Sequence, residues 1–175
     1  KCGLLAKVNP PLHSNEDIER LWKGIADGSV KTMGTDNVPV DKAKRFERGN
    51  GVWDVFVGFG GPGMILPTLI SEGYHKRGIP LWRLSQVNSI NTARIFNMPE
   101  KGEIKVGCDA DFAIVDLDEE KTITPELFGY SDFSIYEGMT FKGWPKYTVS
   151  RGEIIQKDGK ITAKPGRGKY IRRSI

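Results

Sequence analysis

Along the first third of the chain, short apolar runs flank a helical stripe. Leu4 to Val8 is a run that stops at Asn9-Pro10-Pro11, and it reads as a strand, because proline cannot donate to a ladder and keeps its predecessor extended. Ser14-Asn15-Glu16-Asp17 then has the form of a capping box. Ile18, Leu21, Trp22 and Ile25 follow at i, i+3, i+4 and i+7, with Gly28 as the stop. The spacing predicts an amphipathic helix with both ends marked. Val30 to Thr35 is a second strand, and strand, helix, strand with short connections predicts a parallel βαβ unit. Asn9 and Asp36 then stand at C-terminal strand ends, where parallel sheets carry their ligand sites.

Asp41 to Phe59 is charged, rich in glycine and without periodicity, which predicts a long loop of the kind that is usually functional. Gly61 to Glu72 reads as a helix opened by Pro62 and carrying Met64, Ile65, Leu66, Leu69 and Ile70. Leu81 to Val87 and Thr92 to Phe96 add further helical turns. At Lys101 the texture changes to short β-rich runs separated by Gly and Asp, and Lys157-Asp158-Gly159-Lys160 predicts a hairpin turn. The pattern is that of an α/β chain in two parts, 1–100 and 101–175, with a small all-β unit second.

Composition narrows the function classes. At 175 residues, 38% hydrophobic and 27% charged, the chain has the make-up of a soluble globular protein long enough to bury a core. The formal charge is +4, but Lys164, Arg167, Lys169, Arg172 and Arg173 crowd the end, and without them the chain is close to neutral. That is no general nucleic-acid footprint. Cys2 and Cys108 lie far apart with no metal-ligand spacing, which argues against a disulfide framework or zinc finger and fits a reducing, cytoplasmic setting. No apolar run approaches the length of a membrane span. The opening "KCGLLAKVNPP" reads as a strand already under way, so a piece of a longer protein is expected.

Seven stretches in order, "KVNPPLHSNEDIERLWKGIADGSV", "GTDNVP", "GFGGPGMILPTLISEG", "NTARIF", "KGEIKVGCDADFAIVD", "SIYEGMTFKGWP" and "VSRGEIIQKDGKI" with its "GRGKYIRR" ending, resemble the C-terminal part of the hydantoinase and dihydropyrimidinase family. These are cyclic amidohydrolases within the metal-dependent amidohydrolase superfamily. The resemblance implies a (β/α)8 TIM-type barrel joined to a composite β-sandwich. This chain would supply the last barrel strands and helices over 1–100 and the C-terminal sandwich segment with its basic tail over 101–175. It also implies two divalent metal ions, usually zinc, bridged by a carboxylated lysine and held by four histidines that lie upstream, and a homo-oligomer, dimer or tetramer, whose subunits the basic tail contacts. No nucleic-acid or membrane partner is implied.

Carried over residue by residue, Asp36 matches the acid that binds one metal and moves the proton from the attacking hydroxide to the departing amide nitrogen, a proton the leaving group needs. Asn9 matches a position that holds the cyclic amide or imide substrate largely through main-chain groups. Val57 and Gly58 match a second such position, with Val57 where hydantoinases often carry Asn. Two departures stand out: Asn37 replaces the usual His after the acid, and Thr92 replaces the Pro of "NPA". The reaction implied is hydrolysis of the ring amide of a hydantoin or dihydropyrimidine. An allantoinase or dihydroorotase is the alternative suggested by Asn9-Pro10-Pro11-Leu12, and a non-catalytic oligomer of the collapsin response mediator type is another.

Each residue also has a plainer reading. An Asp at a strand end is most often a turn or cap residue, and Asn before Pro is ordinary turn chemistry. His13 and His75 read as surface residues, "GFGGPG" as a tight turn into a helix, and Trp22, Trp53, Trp82 and Trp144 as core or interface residues.

Overall fold

The computed structural model describes residues 2–129 and 131–173. Tyr130, and the ends of the two expected parts at Lys1, Ser174 and Ile175, lie outside the described residues. Helix α1 (Asn15–Asp27) forms where the capping box and glycine placed it. Ser14 Oγ accepts from the Asp17 amide, the Asp17 carboxylate accepts from the Ser14 amide, and Gly28 closes the C-terminus at φ 85°. Trp22 and Ile25 are buried, whereas Ile18 and Leu21 remain exposed, so only half of the apolar stripe enters the core.

The flanking strands do not form. Leu4 to Val8 begins with a 3-10 turn (Gly3–Ala6), and neither it nor Val30 to Thr35 joins a ladder. The physical reason is pairing: a strand exists through a neighbour's hydrogen bonds, and these two segments do not bond to each other. The first meets a third segment through one backbone bond, the Gly58 amide donating to Lys7 O at 3.0 Å, and just beyond the second the Val38 amide donates to Phe59 O at 3.4 Å. The expected βαβ unit is therefore corrected to one helix between two extended segments.

Within the expected loop, α2 (Lys42–Arg45) makes one turn of helix. Gly61 and Pro62 then open a continuous helical stretch, a 3-10 turn (Pro62–Met64), α3 (Ile65–Thr68) and a π-helix (Leu69–His75). Helices α4 (Leu81–Asn88) and α5 (Ile90–Ile95) follow. Trp22, Ile25, Leu69, Ile79, Leu84 and Val87 form one apolar core among them.

All strands of the described residues are antiparallel and lie after residue 111. They are β1 (Phe112–Thr122), β2 (Thr140–Ser150), β3 (Glu153–Lys157) and β4 (Lys160–Ile161), in the order β1-β2-β3-β4. The α/β class stands, with helices gathered first and sheet second. Asp158 and Gly159 at φ 47° and 79° make the predicted hairpin turn, with Lys157 paired to Lys160. In β1, Asp116 Oδ1 accepts the amides of Asp118 and Glu119 at 3.0 and 3.1 Å, a turn that breaks the register with β2 between Asp116 and Glu120.

Sheet and helix meet at Gly143. A Cβ there would sit 2.1 Å from Ile70 Cγ2, so only glycine lets β2 approach the π-helix. Met64, Ile123, Phe141 and Trp144 form a second core beside this contact. Trp22 and Trp144 are thus core residues, but Trp53 at 92% and Trp82 at 58% exposure are not. Trp53 rides the tip of the Gly51 to Asp54 turn, and Trp82 faces solvent from α4 with the Arg83 guanidinium over its ring.

Candidate functional site

Asn9, Asp36, Val57 and Gly58 are brought to three adjoining extended segments. Lys7, two residues before Asn9, accepts the Gly58 amide, and Val38, two residues after Asp36, donates to Phe59 O. The contact is close enough to dictate residue type: Gly58 has φ 96°, and a Cβ on it would lie 2.6 Å from Val38 Cβ. Asp36 sits at φ 43° in the left-handed region, which Asp tolerates better than most residues. Asn9, Asp36 and Val57 are exposed, while Gly58 is buried. Among the described residues, the Asn9 and Asp36 side chains make no hydrogen bond or ion pair, leaving their polar atoms available.

Asn37 has a defined structural part. Its Oδ1 accepts the Gly61 amide at 3.1 Å, pinning the segment after Asp36 to the start of the Pro62 turn. A histidine there would lack this side-chain carbonyl.

Arg45 is the least expected residue of the site. It is fully buried, and its guanidinium donates to Leu4 O at 3.1 Å, to Lys7 O at 2.8 Å and to Gly58 O, while facing the Phe133 ring at 5.6 Å. Burial pulls the guanidinium below its ordinary pKa. Its partners among the described residues are carbonyl dipoles and a ring face rather than a carboxylate. Lys7 Nζ adds a bond to Val55 O at 2.6 Å. Nothing in "DKAKRFERG" separates Arg45 from Lys42, Lys44 or Arg48, so no pattern along the chain could have singled it out.

Other candidates fall elsewhere. His13 is exposed in its loop, 3.9 Å from Asp17, and the exposed His75 bonds through Nε2 to Leu117 O at 2.8 Å. A cleft of about 550 Å³ between α4 and β1, lined by Leu66, Leu69, Leu84, Ile104, Phe112 and Val115 among others, contains none of the four predicted site residues. Among the described residues no three His, Cys, Asp or Glu side chains gather to hold a metal. No helix of the described residues is long and apolar enough to cross a membrane.

The chain, with helices first and an antiparallel sheet second, has known relatives. The amidohydrolase family pattern matches residues 6–155. An allantoinase from Rubrobacter xylanophilus is 34% identical over 173 residues, 98% of this chain and 37% of that protein. A D-phenylhydantoinase from Escherichia coli is 33% identical over 174 residues, 98% of this chain and 38% of that one. Among solved structures, the D-hydantoinase of Bacillus sp. AR9 superimposes with a TM-score of 0.91 at 29% identity, covering 98% of this chain and 38% of that one. The L-hydantoinase of Arthrobacter aurescens gives 0.89 at 32% identity with the same coverage.

The chain belongs to the amidohydrolase family, in its cyclic amidohydrolase branch. It spans little more than a third of the length of the curated relatives it matches, 37% of the first.

Proposed function

We propose that these residues form the C-terminal part of a metal-dependent cyclic amidohydrolase that opens the ring amide of a hydantoin or dihydropyrimidine. In this reading the segments around Leu4 to Val8 and Val30 to Thr35 are the last strands of a (β/α)8 barrel, paired in the complete protein. Residues 101–175 are its sandwich segment, with the division near residue 100. The observation that carries the proposal is Asp36: an exposed carboxylate with no partner among the described residues, two residues before the Val38 that packs on Gly58, in a chain that superimposes closely on D-hydantoinases.

Asp36 suits one position in the ligand set of a divalent metal such as zinc, since ionised carboxylate oxygens are ordinary zinc ligands. The remaining ligands would come from residues beyond these 175. Bound there, two such ions would supply hydroxide at neutral pH and polarise the ring carbonyl. Asp36 itself takes a proton from the attacking water on a carboxylate oxygen and delivers it to the ring nitrogen as the carbon–nitrogen bond breaks. Asn9 and the main chain at Val57-Gly58 hold the ring so that its carbonyl meets the water. The complete protein acts as a homo-oligomer, dimer or tetramer, in the cytoplasm. The tail is not wholly free for subunit contact: Arg167 pairs with Glu153 at 3.1 Å and donates to Ser150 O at 2.7 Å, while Tyr170 is 92% exposed.

The test is turnover of hydantoin, dihydrouracil, allantoin and dihydroorotate by the full-length chain, with Asp36→Asn beside it. A hydantoin or dihydrouracil preference with a loss of about 10³-fold in kcat on Asp36→Asn is expected. Turnover of none of the four, or full activity without Asp36, overturns the proposal. Allantoin as the preferred substrate would favour an allantoinase, a second reading supported by the 34% identity to allantoinases.

A further inference from the structure

We propose that Arg45 is a positioning residue that presents the Val57 peptide groups to the substrate ring, a role that rests on the reading of Val57-Gly58 as substrate-binding. Its main chain and side chain grip the backbone on either side of Val57. Arg45 O accepts the Phe56 amide at 3.1 Å, and the guanidinium donates to Gly58 O. The Gly58 amide is taken by Lys7 O, itself held by the same guanidinium at 2.8 Å. The Phe56 amide and both polar groups of the Gly58 backbone are thus fixed by Arg45 or by a carbonyl that Arg45 holds. Between these anchors the N–H and C=O of Val57 bond to nothing among the described residues, and the residue is 42% exposed.

A donor and an acceptor on one exposed residue, locked from both sides, match the chemistry of a ring amide, which offers a carbonyl oxygen and an N–H of its own. The arrangement also accounts for tolerance of Val where relatives carry Asn, because the side chain is not the part being presented. A charged side chain fully buried against three carbonyls is a strong device for this purpose. It is planar, carries five donors in a fixed fork, and stays protonated. Lysine has three donors on one atom and reaches at most part of the set.

The roles of Arg45 and of the site as a whole separate in one experiment on the full-length chain, comparing wild type, Arg45→Lys, Arg45→Met and Asp36→Asn. For Arg45→Met we expect KM for the cyclic amide to rise tenfold or more with kcat changed less than about threefold, since a uniform binding contribution is removed. Arg45→Lys should recover part of the KM. Amide hydrogen exchange over residues 55–59 should quicken at least tenfold in Arg45→Met while exchange in Asn15–Asp27 stays as in wild type. Equal KM values across the Arg45 series, or unchanged exchange over 55–59, overturn the positioning role. A fall in kcat alone also overturns it. Activity retained in Asp36→Asn, or no turnover by wild type, overturns the functional reading instead, and hydrogen exchange then decides by itself whether Arg45 holds Val57.

Discussion

In the sheet every strand is joined to its neighbour by a ladder of paired residues, whereas the site segments at Lys7, Val38 and Gly58 are joined by single backbone hydrogen bonds. The β3–β4 hairpin closes over two residues, and β2–β3 over Arg151-Gly152. Backbone polar groups there are satisfied by a repeating ladder. Around the site they are satisfied by a buried arginine and an asparagine side chain, where a glycine lets the segments approach. The ladder tolerates change at any one rung. The site depends on individual atoms, and this is where substitutions should be most specific in their effect.

The junction of the two regions offers the sharpest break. Gly143→Ala must force a methyl group into Ile70 and hold an L-residue at φ 97°, which together should cost about 3 kcal/mol or more. Gly159→Ala in the hairpin turn, with φ 79° and nothing within 4 Å, carries only the backbone strain, about 1 kcal/mol. Urea unfolding of both variants measures the difference. Equal costs would mean that helix and sheet yield to each other, and that the close approach at Gly143 contributes nothing.

A second effect, smaller and pH-dependent, concerns how the sheet is tied to the preceding loop. Burial pushes the Asp111 carboxyl up, but hydrogen bonds from Lys101 and the Arg151 amide at 2.7 Å outweigh it and leave its pKa lowered. A lowered pKa stabilises the fold above the ordinary carboxylate value, and that stabilisation fades as pH falls through the lowered value. Asp111→Asn should therefore lose about 1 kcal/mol at pH 7, discounted for partial exposure. The gap to wild type should close on acidification below about pH 4. A gap that is constant with pH would show that the amide replaces the carboxylate's role in shape only. Asp109, 2.5 Å from Lys101, keeps the lysine paired in the variant.

How legible each part is follows the same division. The β3–β4 turn could be read because its requirement for positive φ is written in two adjacent residues, Asp158 and Gly159. The Pro62 turn and the β-rich texture after Lys101 could be read for similar local reasons. Leu4 to Val8 looked like a strand because its apolar run is right for one, but a ladder partner is a property of distant residues. Asn9 and Asp36 were pointed to by strand ends that do not form a ladder here, Val57 and Gly58 only by the family resemblance, and their adjacency rests on bonds at Lys7 and Val38 that no spacing encodes. Arg45 was invisible because one buried arginine among several exposed basic residues leaves no periodic trace. Trp53 and Trp82 mislead in the opposite sense: large apolar residues are usually inside, but the rule does not run backwards for any single exposed one.

The smallest expected effect tests the helix that lies between the two site segments. Ser14 and Asp17 satisfy each other's backbone amides, and Ser14 Oγ also donates to Asp17 Oδ2 at 2.7 Å. The Ser14 hydroxyl and amide together lower the Asp17 pKa. Ser14→Ala removes the hydroxyl and should lower Tm by about 2–4 °C at pH 7, with the Asp17 pKa moving back toward its ordinary value in an NMR titration. Because the Asp17 pKa is lowered, its part in capping is present above pH 4 and lost on acidification, so the Tm gap should narrow at low pH. If α1 were held in place only by Trp22 and Ile25 in the core, the substitution would leave Tm unchanged. A loss that spreads to faster hydrogen exchange at Gly58 would show instead that the cap of α1 and the grip of Arg45 are coupled, and that the site depends on the one element whose formation is local.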